Sequence, residues 1–102
     1  MPRPRYASRA DKNQQTLAHD LGQVGFDVEY VHAGDVADLH VIGPDGSWRR
    51  WVEVKNPKGG HRKPGAHDEL SDNEKKWKAR LGDEWMIAYR AEDVIEAYES
   101  SL

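Results

Sequence analysis

Two hydrophobic periods alternate along this chain, and each change of period marks a new structural element. Leu17, Leu21 and Val24 recur at helical spacing before Gly25, which predicts an N-terminal helix over about 10–23. Further along, apolar and polar residues alternate with the two-residue period of half-buried strands. The full pattern predicts strands over 26–31, 36–42, 48–55 and 85–89, a helix from a cap at Ser71 to a stop at Gly82, and a closing helix over 92–100.

This order of elements, α-β-β-β-α-β-α, predicts an α/β fold in which helices flank a mixed four-stranded sheet. The turn residues from Gly43 to Gly46 should join the second and third strands into a hairpin, and residues 56–67 form a basic loop rich in Gly and Pro. The length of 102 residues allows one core. We expect a single domain over 9–102, preceded by a flexible basic arm over 1–8.

Composition excludes several classes of protein. The chain has no Cys, which rules out a disulfide framework, a thiol nucleophile and a Cys-ligated zinc site. No apolar run approaches the roughly 20 residues of a membrane span, and the N-terminus lacks the apolar stretch of a signal peptide. We therefore expect a cytoplasmic protein with no membrane partner.

Charge is distributed unevenly around a net value of −3. From Arg49 to Lys63, six basic residues stand against a single acidic residue, Glu53, whereas the segment from Glu92 to the C-terminus is acidic and has no base. A bipolar protein of this kind can present one face to a polyanion, although ordinary solvated charge gives the same pattern.

The predicted hairpin carries the residues that could do chemistry. Glu53 and Lys55 are two apart on one strand, so they share a face. A hairpin loop of two or four residues puts Asp38 directly opposite Glu53. A three-residue loop with a bulge at Gly46 puts the two carboxylates on opposite faces. The local sequence permits both registers.

If the carboxylates are paired, their oxygens suit Mg²⁺ or Mn²⁺, which prefer such ligands in octahedral geometry. Lys55 on the same face would complete a metal-plus-lysine site. Such a site can lower the pKa of a bound water and stabilise a phosphate in its transition state. Taken alone, the same short pattern also occurs by chance as a surface cluster of charges.

Six motifs follow one another over about residues 9–98. They are Asn13-Gln14, Gly34, Asp38-Leu39, Glu53-Val54-Lys55, Leu70 to Glu74, and Ile87 to Arg90 with an acidic helix behind it. In this order they resemble the PD-(D/E)XK nuclease superfamily, and in particular its small stand-alone VRR-NUC nucleases from bacteriophages. The chain departs from the family pattern at Ala37, where Pro is usual, and at Gln14, where many superfamily nucleases have Glu.

The resemblance implies a restriction-endonuclease-like fold and a metal-dependent DNA endonuclease that acts on structured or branched DNA such as four-way junctions. It assigns Mg²⁺, for which Mn²⁺ can substitute, to Asp38, Glu53 and the backbone carbonyl of Val54. Lys55 would position or activate the attacking water. Relatives of this size imply a homodimer in a bacterial or phage-infected host cytoplasm.

The resemblance also implies supporting residues. Gln14 would support the water or the lysine, and Glu74 would assist from the second helix, unless Glu74 serves only in the Ser71 capping box. The basic loop after the third strand is expected to contact phosphates beside the scissile bond, unless it is only solvated. Its candidate contacts are Lys58, His61, Arg62 and Lys63.

The four Trp residues are assigned to packing, with one exception. Trp51 shares strand parity with Glu53, so it is the one candidate for stacking on a base. Two other functions are compatible with the sequence. One is a catalytically silent DNA-binding accessory module of the same fold, and the other is a protein-interaction module that uses the bipolar charge.

Overall fold

The computed structural model describes residues 9–32, 35–56 and 70–102 and confirms the predicted α/β fold. Its elements in chain order are α1 (Arg9–Gln23), β1 (Asp27–Tyr30), β2 (Leu39–Ile42), β3 (Arg49–Val54), α2 (Asp72–Leu81), a 3-10 helix (Gly82–Glu84), β4 (Trp85–Ala88) and α3 (Ala91–Ser100). The predicted arm over 1–8 and the loop residues after Asn56 lie outside the described residues. No helix within the three described ranges has the length and the apolar composition that a membrane span requires.

The four strands form one mixed sheet in the order β1-β2-β3-β4. The first three strands are antiparallel to one another, and β4 runs parallel to β3. The β2–β3 loop is closed by a hydrogen bond of 2.7 Å from the Gly43 N–H to the Trp48 carbonyl. Asp45 Oδ1 accepts from the Ser47 and Trp48 N–H groups, and Gly46 adopts a φ of 81° that suits glycine.

One side of the sheet, the core face, packs against α1 and α3. Its buried strand residues are Leu39, Val41, Val52, Val54 and Ala88, and the helices add Leu17, Leu21, Ala91 and Val94. Phe26, Trp48 and Tyr98 close one end of this core with edge-to-face contacts whose ring centroids are 5.3 to 6.1 Å apart. The core face therefore supplies most of the apolar burial of the fold.

The other side, the site face, is defined by His40, Trp51 and Glu53. Here α2 packs over β4, around a cluster of Trp85, Ile87 and Tyr89 that also includes Val36, Trp51, Leu70, Trp77 and Leu81. His40, Trp51 and Glu53 are half-buried, whereas Val41 and Val52 on the core face are fully buried. The alternation along β2 and β3 thus separates an apolar face from a polar one.

Candidate active site

The hairpin register brings Asp38 and Glu53 together. Leu39 pairs with Val52 across a four-residue loop, which is the register that directs Asp38 toward Glu53, and the regular pairing ends at Leu39. Of the two registers that the sequence permits, the structure has this one. The two carboxylates are near enough that the charge of Asp38 raises the pKa of Glu53.

Asp38 lies just before β2, where the ladder of backbone hydrogen bonds is interrupted. Its N–H donates to the Val52 carbonyl at 3.1 Å, although Val52 already faces Leu39 in the register. Its Oδ2 accepts from the Val54 N–H at 2.8 Å, so the side chain replaces a backbone partner. The predicted strand over 36–42 begins at Leu39 for this reason. Interruptions of this bulge-like kind re-aim a side chain and are frequent beside active sites.

Hydrogen bonds from two other elements hold the segment that leads to this aspartate. From α2, Asn73 donates to the Asp35 carbonyl and the Trp77 indole donates to Asp35 Oδ1, at 3.0 and 3.1 Å. From β4, the Trp85 indole donates to the Val36 carbonyl at 2.7 Å. The position of the carboxylate is therefore tied to both α2 and β4.

Lys55 and Glu74 form an ion pair across the gap between β3 and α2. Lys55 Nζ lies 2.8 Å from Glu74 Oε2, and the two side chains are 31% and 12% exposed. Glu74 Oε1 accepts from the Ser71 N–H, while Ser71 Oγ accepts from the Glu74 N–H, which is the reciprocal capping box. Glu74 thus caps α2 and also pairs with the lysine, and its assistance to catalysis stays a prediction.

The carboxyl groups at this site are coupled. Burial, together with the negative charges of Asp38 and Glu74, raises the pKa of Glu53 to about 7. Lys55 opposes it, while a hydrogen bond between the Glu53 and Glu74 carboxyl groups favours the protonated form of Glu53. Partial burial also acts to raise the pKa of Glu74, but the hydrogen bonds from Lys55 and Ser71 outweigh it and hold that pKa below its ordinary value.

The donor set fits a small divalent cation. Mg²⁺ is usually held by one or two carboxylates and completed by waters and substrate phosphates. Asp38, Glu53 and the Val54 carbonyl are oxygen ligands of that class, and the negative charges that contribute, after burial, to the raised pKa of Glu53 are ones that a cation would balance. Within the described residues, no three acidic or His side chains form a ready-made metal cage. A site completed by water and phosphate does not require one.

Helix α1 contacts the site through Asn13, the neighbour of the predicted Gln14. Asn13 Nδ2 donates to the Lys55 carbonyl at 3.0 Å and to the Tyr89 carbonyl at 3.4 Å. It therefore joins α1 to the ends of β3 and β4. The sequence singles out the Asn-Gln pair, but the helix phase decides which of the two side chains meets the strands. The role of Gln14, which is half-buried, stays a prediction.

The other predicted contacts divide into two groups. Lys58, His61, Arg62 and Lys63 lie outside the described residues, so their contact with DNA stays a prediction. Trp51, the candidate for stacking on a base, lies on the site face, where its ring centroid is 4.3 Å from that of His40.

Comparison of the chain with family models, with curated proteins and with solved structures finds no match. The resemblance to VRR-NUC nucleases stays a hypothesis that rests on the sequence motifs. The chemistry of the site is inferred from the side chains described above.

Proposed function

We propose that this chain is a Mg²⁺-dependent endodeoxyribonuclease that hydrolyses phosphodiester bonds. The observation that supports it best is the hairpin register, which joins Asp38 and Glu53 beside the Lys55–Glu74 ion pair. Two carboxylates for a divalent ion and an ammonium next to them are the groups that a phosphodiester with developing negative charge needs.

In the proposed mechanism, Asp38, Glu53 and the Val54 carbonyl would hold the cation, which would supply Lewis-acid polarisation of the phosphate and of water. Glu53 has to be ionised to act as a ligand. Its pKa of about 7 without a metal therefore predicts that cation affinity falls as the pH drops below neutrality.

Lys55 acts beside the cation as a fixed positive charge. Its ammonium orients the attacking water and stabilises charge on the non-bridging oxygens of the phosphate. Glu74 is a positioning residue, because it holds Nζ from the N-terminal turn of α2. Asn13 is a second positioning residue, since it binds the carbonyl of the lysine itself.

The substrate and assembly follow from the family resemblance. We propose branched DNA such as four-way junctions as the substrate, and a homodimer that places two sites against two opposed strands. The basic loop with Lys58, Arg62 and Lys63 would contact the phosphates. The proposed location is a bacterial or phage-infected host cytoplasm. Sedimentation equilibrium at micromolar protein tests the dimer, and a single species near 11.6 kDa contradicts it.

The proposal is tested by incubating the purified chain with linear, nicked and supercoiled duplex, a flap and a four-way junction. Each substrate is tested with Mg²⁺, Mn²⁺, Ca²⁺ and EDTA. We expect cleavage with Mg²⁺ and Mn²⁺ and none with EDTA, with Asp38→Asn as the inactive control. Binding that weakens with salt but gives no cut in any metal would favour a silent DNA-binding module. No affinity for DNA at any salt would favour a protein-interaction module.

A further inference from the structure

A second feature lies on the strand that carries Glu53. Arg49, Trp51 and Glu53 alternate along β3 with buried Val52 and Val54, so the three occupy one side of the strand. Successive members of this row lie about 6.6 Å apart, at roughly 3.3 Å per residue. An exposed cation, an aromatic ring and a proposed metal ligand therefore follow one another in a line.

Trp51 is fixed in place but retains accessible surface. Its cross-strand partner is His40, and the two ring centroids are 4.3 Å apart with a tilt of 33°. Trp51 also packs against the cluster of Trp85, Ile87 and Tyr89 beside β4. Both side chains keep part of their surface exposed, 16% in the case of His40. An aromatic pair that is already ordered loses little conformational entropy when a ligand stacks on it.

The His40–Trp51 pair lies on the site face, next to the proposed metal site. The helices α1 and α3 contribute to the core on the opposite face, and α2 packs over β4. The pair bridges β2 and β3, of which β3 lies beside the strand that α2 covers, and Trp51 comes two residues before Glu53 on β3. The aromatic surface is thus continuous with the carboxylate site.

The charges around the pair favour one direction for an anionic strand. Arg49 is exposed on the same side of β3, two residues before Trp51. Beyond His40, toward β1, Glu29 Oε1 lies 3.9 Å from His40 Nδ1, and the Glu29 side chain is 71% exposed. Phosphates are attracted toward Arg49 and a metal-loaded Glu53 and repelled from Glu29, so the favourable path follows β3.

We propose that the His40–Trp51 pair stacks on one unpaired base of the DNA strand whose neighbouring phosphate lies at Asp38 and Glu53. Aromatic residues on the open face of a four-stranded sheet serve this purpose in other nucleic-acid-binding proteins. Stacking accepts every base, but a base inside an intact duplex is not accessible to it. The site therefore selects DNA with an unpaired or splayed nucleotide. This inference names the substrate feature of the proposed nuclease and rests on that function.

The test measures binding of oligonucleotides that carry the fluorescent base 2-aminopurine, with Ca²⁺ replacing Mg²⁺ to suppress cleavage. The probes are a single strand, a flap with the label at its unpaired base, and a blunt duplex. Wild-type protein should quench the label in the single strand and the flap. The Trp51→Ala and Trp51→Leu proteins should not quench the label, and their affinity for the single strand and the flap should fall by roughly tenfold or more. Their affinity for the blunt duplex should stay unchanged.

Two further variants complete the comparison. Trp51→Phe keeps an aromatic ring and should retain most of the quenching, whereas His40→Ala removes the other half of the pair and should weaken it. The matched control is Tyr30→Ala, because Tyr30 is an exposed strand aromatic, 42% accessible, that strand alternation places on the opposite side of the sheet. This control should behave as the wild type.

The outcomes separate the stacking site from the nuclease. Folded Trp51→Leu and His40→Ala proteins that bind and quench like the wild type overturn the stacking site, even if Asp38-dependent cleavage is found. An equal loss of affinity for the blunt duplex overturns it as well, because the site would then not distinguish unpaired bases. Quenching that depends on Trp51, in a chain that cuts no DNA with Mg²⁺, supports the stacking site and overturns the nuclease.

Discussion

The two faces of one four-stranded sheet differ sharply in what they hold. The core face packs apolar strand residues against α1 and α3, and no polar or charged residue is fully buried in the described part of the chain. The site face holds Glu53 with a pKa raised to about 7, beside the ion pair of Lys55 with Glu74. Strand β3 contributes to both faces, since Val52 and Val54 face the core while Glu53 faces the site.

This contrast shows how a small domain accommodates an unfavourable cluster of charges. The period of two residues lets a six-residue strand contribute to stability on one side and to chemistry on the other. A slip of one residue in the β2–β3 register would exchange the two sets, so burial of the core face also fixes the site. Like charges close together at the site lower stability until a cation or a proton balances them.

The largest effect is expected when a ligand of the proposed metal is removed from the site face. Asp38→Asn keeps the shape of the side chain but removes its charge, so DNA cleavage should fall by at least about a hundredfold, because metal catalysis contributes several kcal/mol. Rates on a labelled junction measure the effect, with Asp27→Asn at an exposed position of β1 as control. A variant that retains more than about a tenth of the wild-type rate would show that Asp38 is not a ligand.

The corresponding change on the core face should affect stability and leave the chemistry alone. Leu21 is 0% exposed in the main core, so Leu21→Ala should lower the free energy of unfolding by about 2–5 kcal/mol. Urea denaturation measures this decrease. The Mg²⁺ concentration for half-maximal cleavage by the folded protein should remain that of the wild type. A shift in that concentration would mean that the two faces are not independent.

In the metal-free protein, the pH dependence of the free energy of unfolding should report the protonation of Glu53. Its pKa is about 7 in the folded state and near 4.5 when unfolded, so the folded state binds the extra proton between these values. Stability should therefore fall as the pH rises from about 4.5 to 7 and level off above 7. After allowance for partial solvent exposure, we expect an effect of about 1–2 kcal/mol.

Glu53→Gln provides the comparison for this effect. The variant has no titrating group at this position. Its free energy of unfolding in EDTA should therefore rise relative to that of the wild type by about 1–2 kcal/mol between about pH 5 and pH 8. Thermal unfolding at a series of pH values measures the gain. A difference between the two proteins that stays constant over this range would contradict the assigned pKa.

The smallest effect concerns the predicted basic loop over 56–67, which follows β3 in the sequence. Replacing Lys58, Arg62 and Lys63 by Ala should weaken binding to all DNA sequences alike. The slope of log K against log salt should fall by up to about three, because each phosphate that the loop no longer neutralises lowers it by about one. An unchanged slope would mean that the loop is solvated and touches no phosphate.

The sequence predicts the elements well, because period and turn residues act locally. It leaves the hairpin register open, since Pro44, Asp45 and Gly46 suit both a four-residue loop and a bulged turn. The interruption at Asp38 depends on a bond to the Val54 N–H across the sheet, which no local pattern encodes.

Two features of the candidate site could not be assigned for the same physical reason. Whether Asn13 or Gln14 meets the strand ends depends on how α1 packs, and the contact falls to Asn13. The capping box predicts one role for Glu74, but its second oxygen meets Lys55 only because the first turn of α2 comes within reach of the residue that follows β3. Contacts between distant parts of the chain decide both.

The central claim is that Asp38 and Glu53 together hold a divalent cation, and direct binding of Mn²⁺ tests it without any DNA. Electron paramagnetic resonance of free Mn²⁺ at about pH 8 should show binding by the wild type that Mg²⁺ displaces. Asp38→Asn and Glu53→Gln should each weaken this binding by about tenfold or more, while Asp27→Asn leaves it unchanged. A wild-type protein that binds no Mn²⁺ at millimolar concentration, or an Asp38→Asn variant that binds it equally well, would contradict the account.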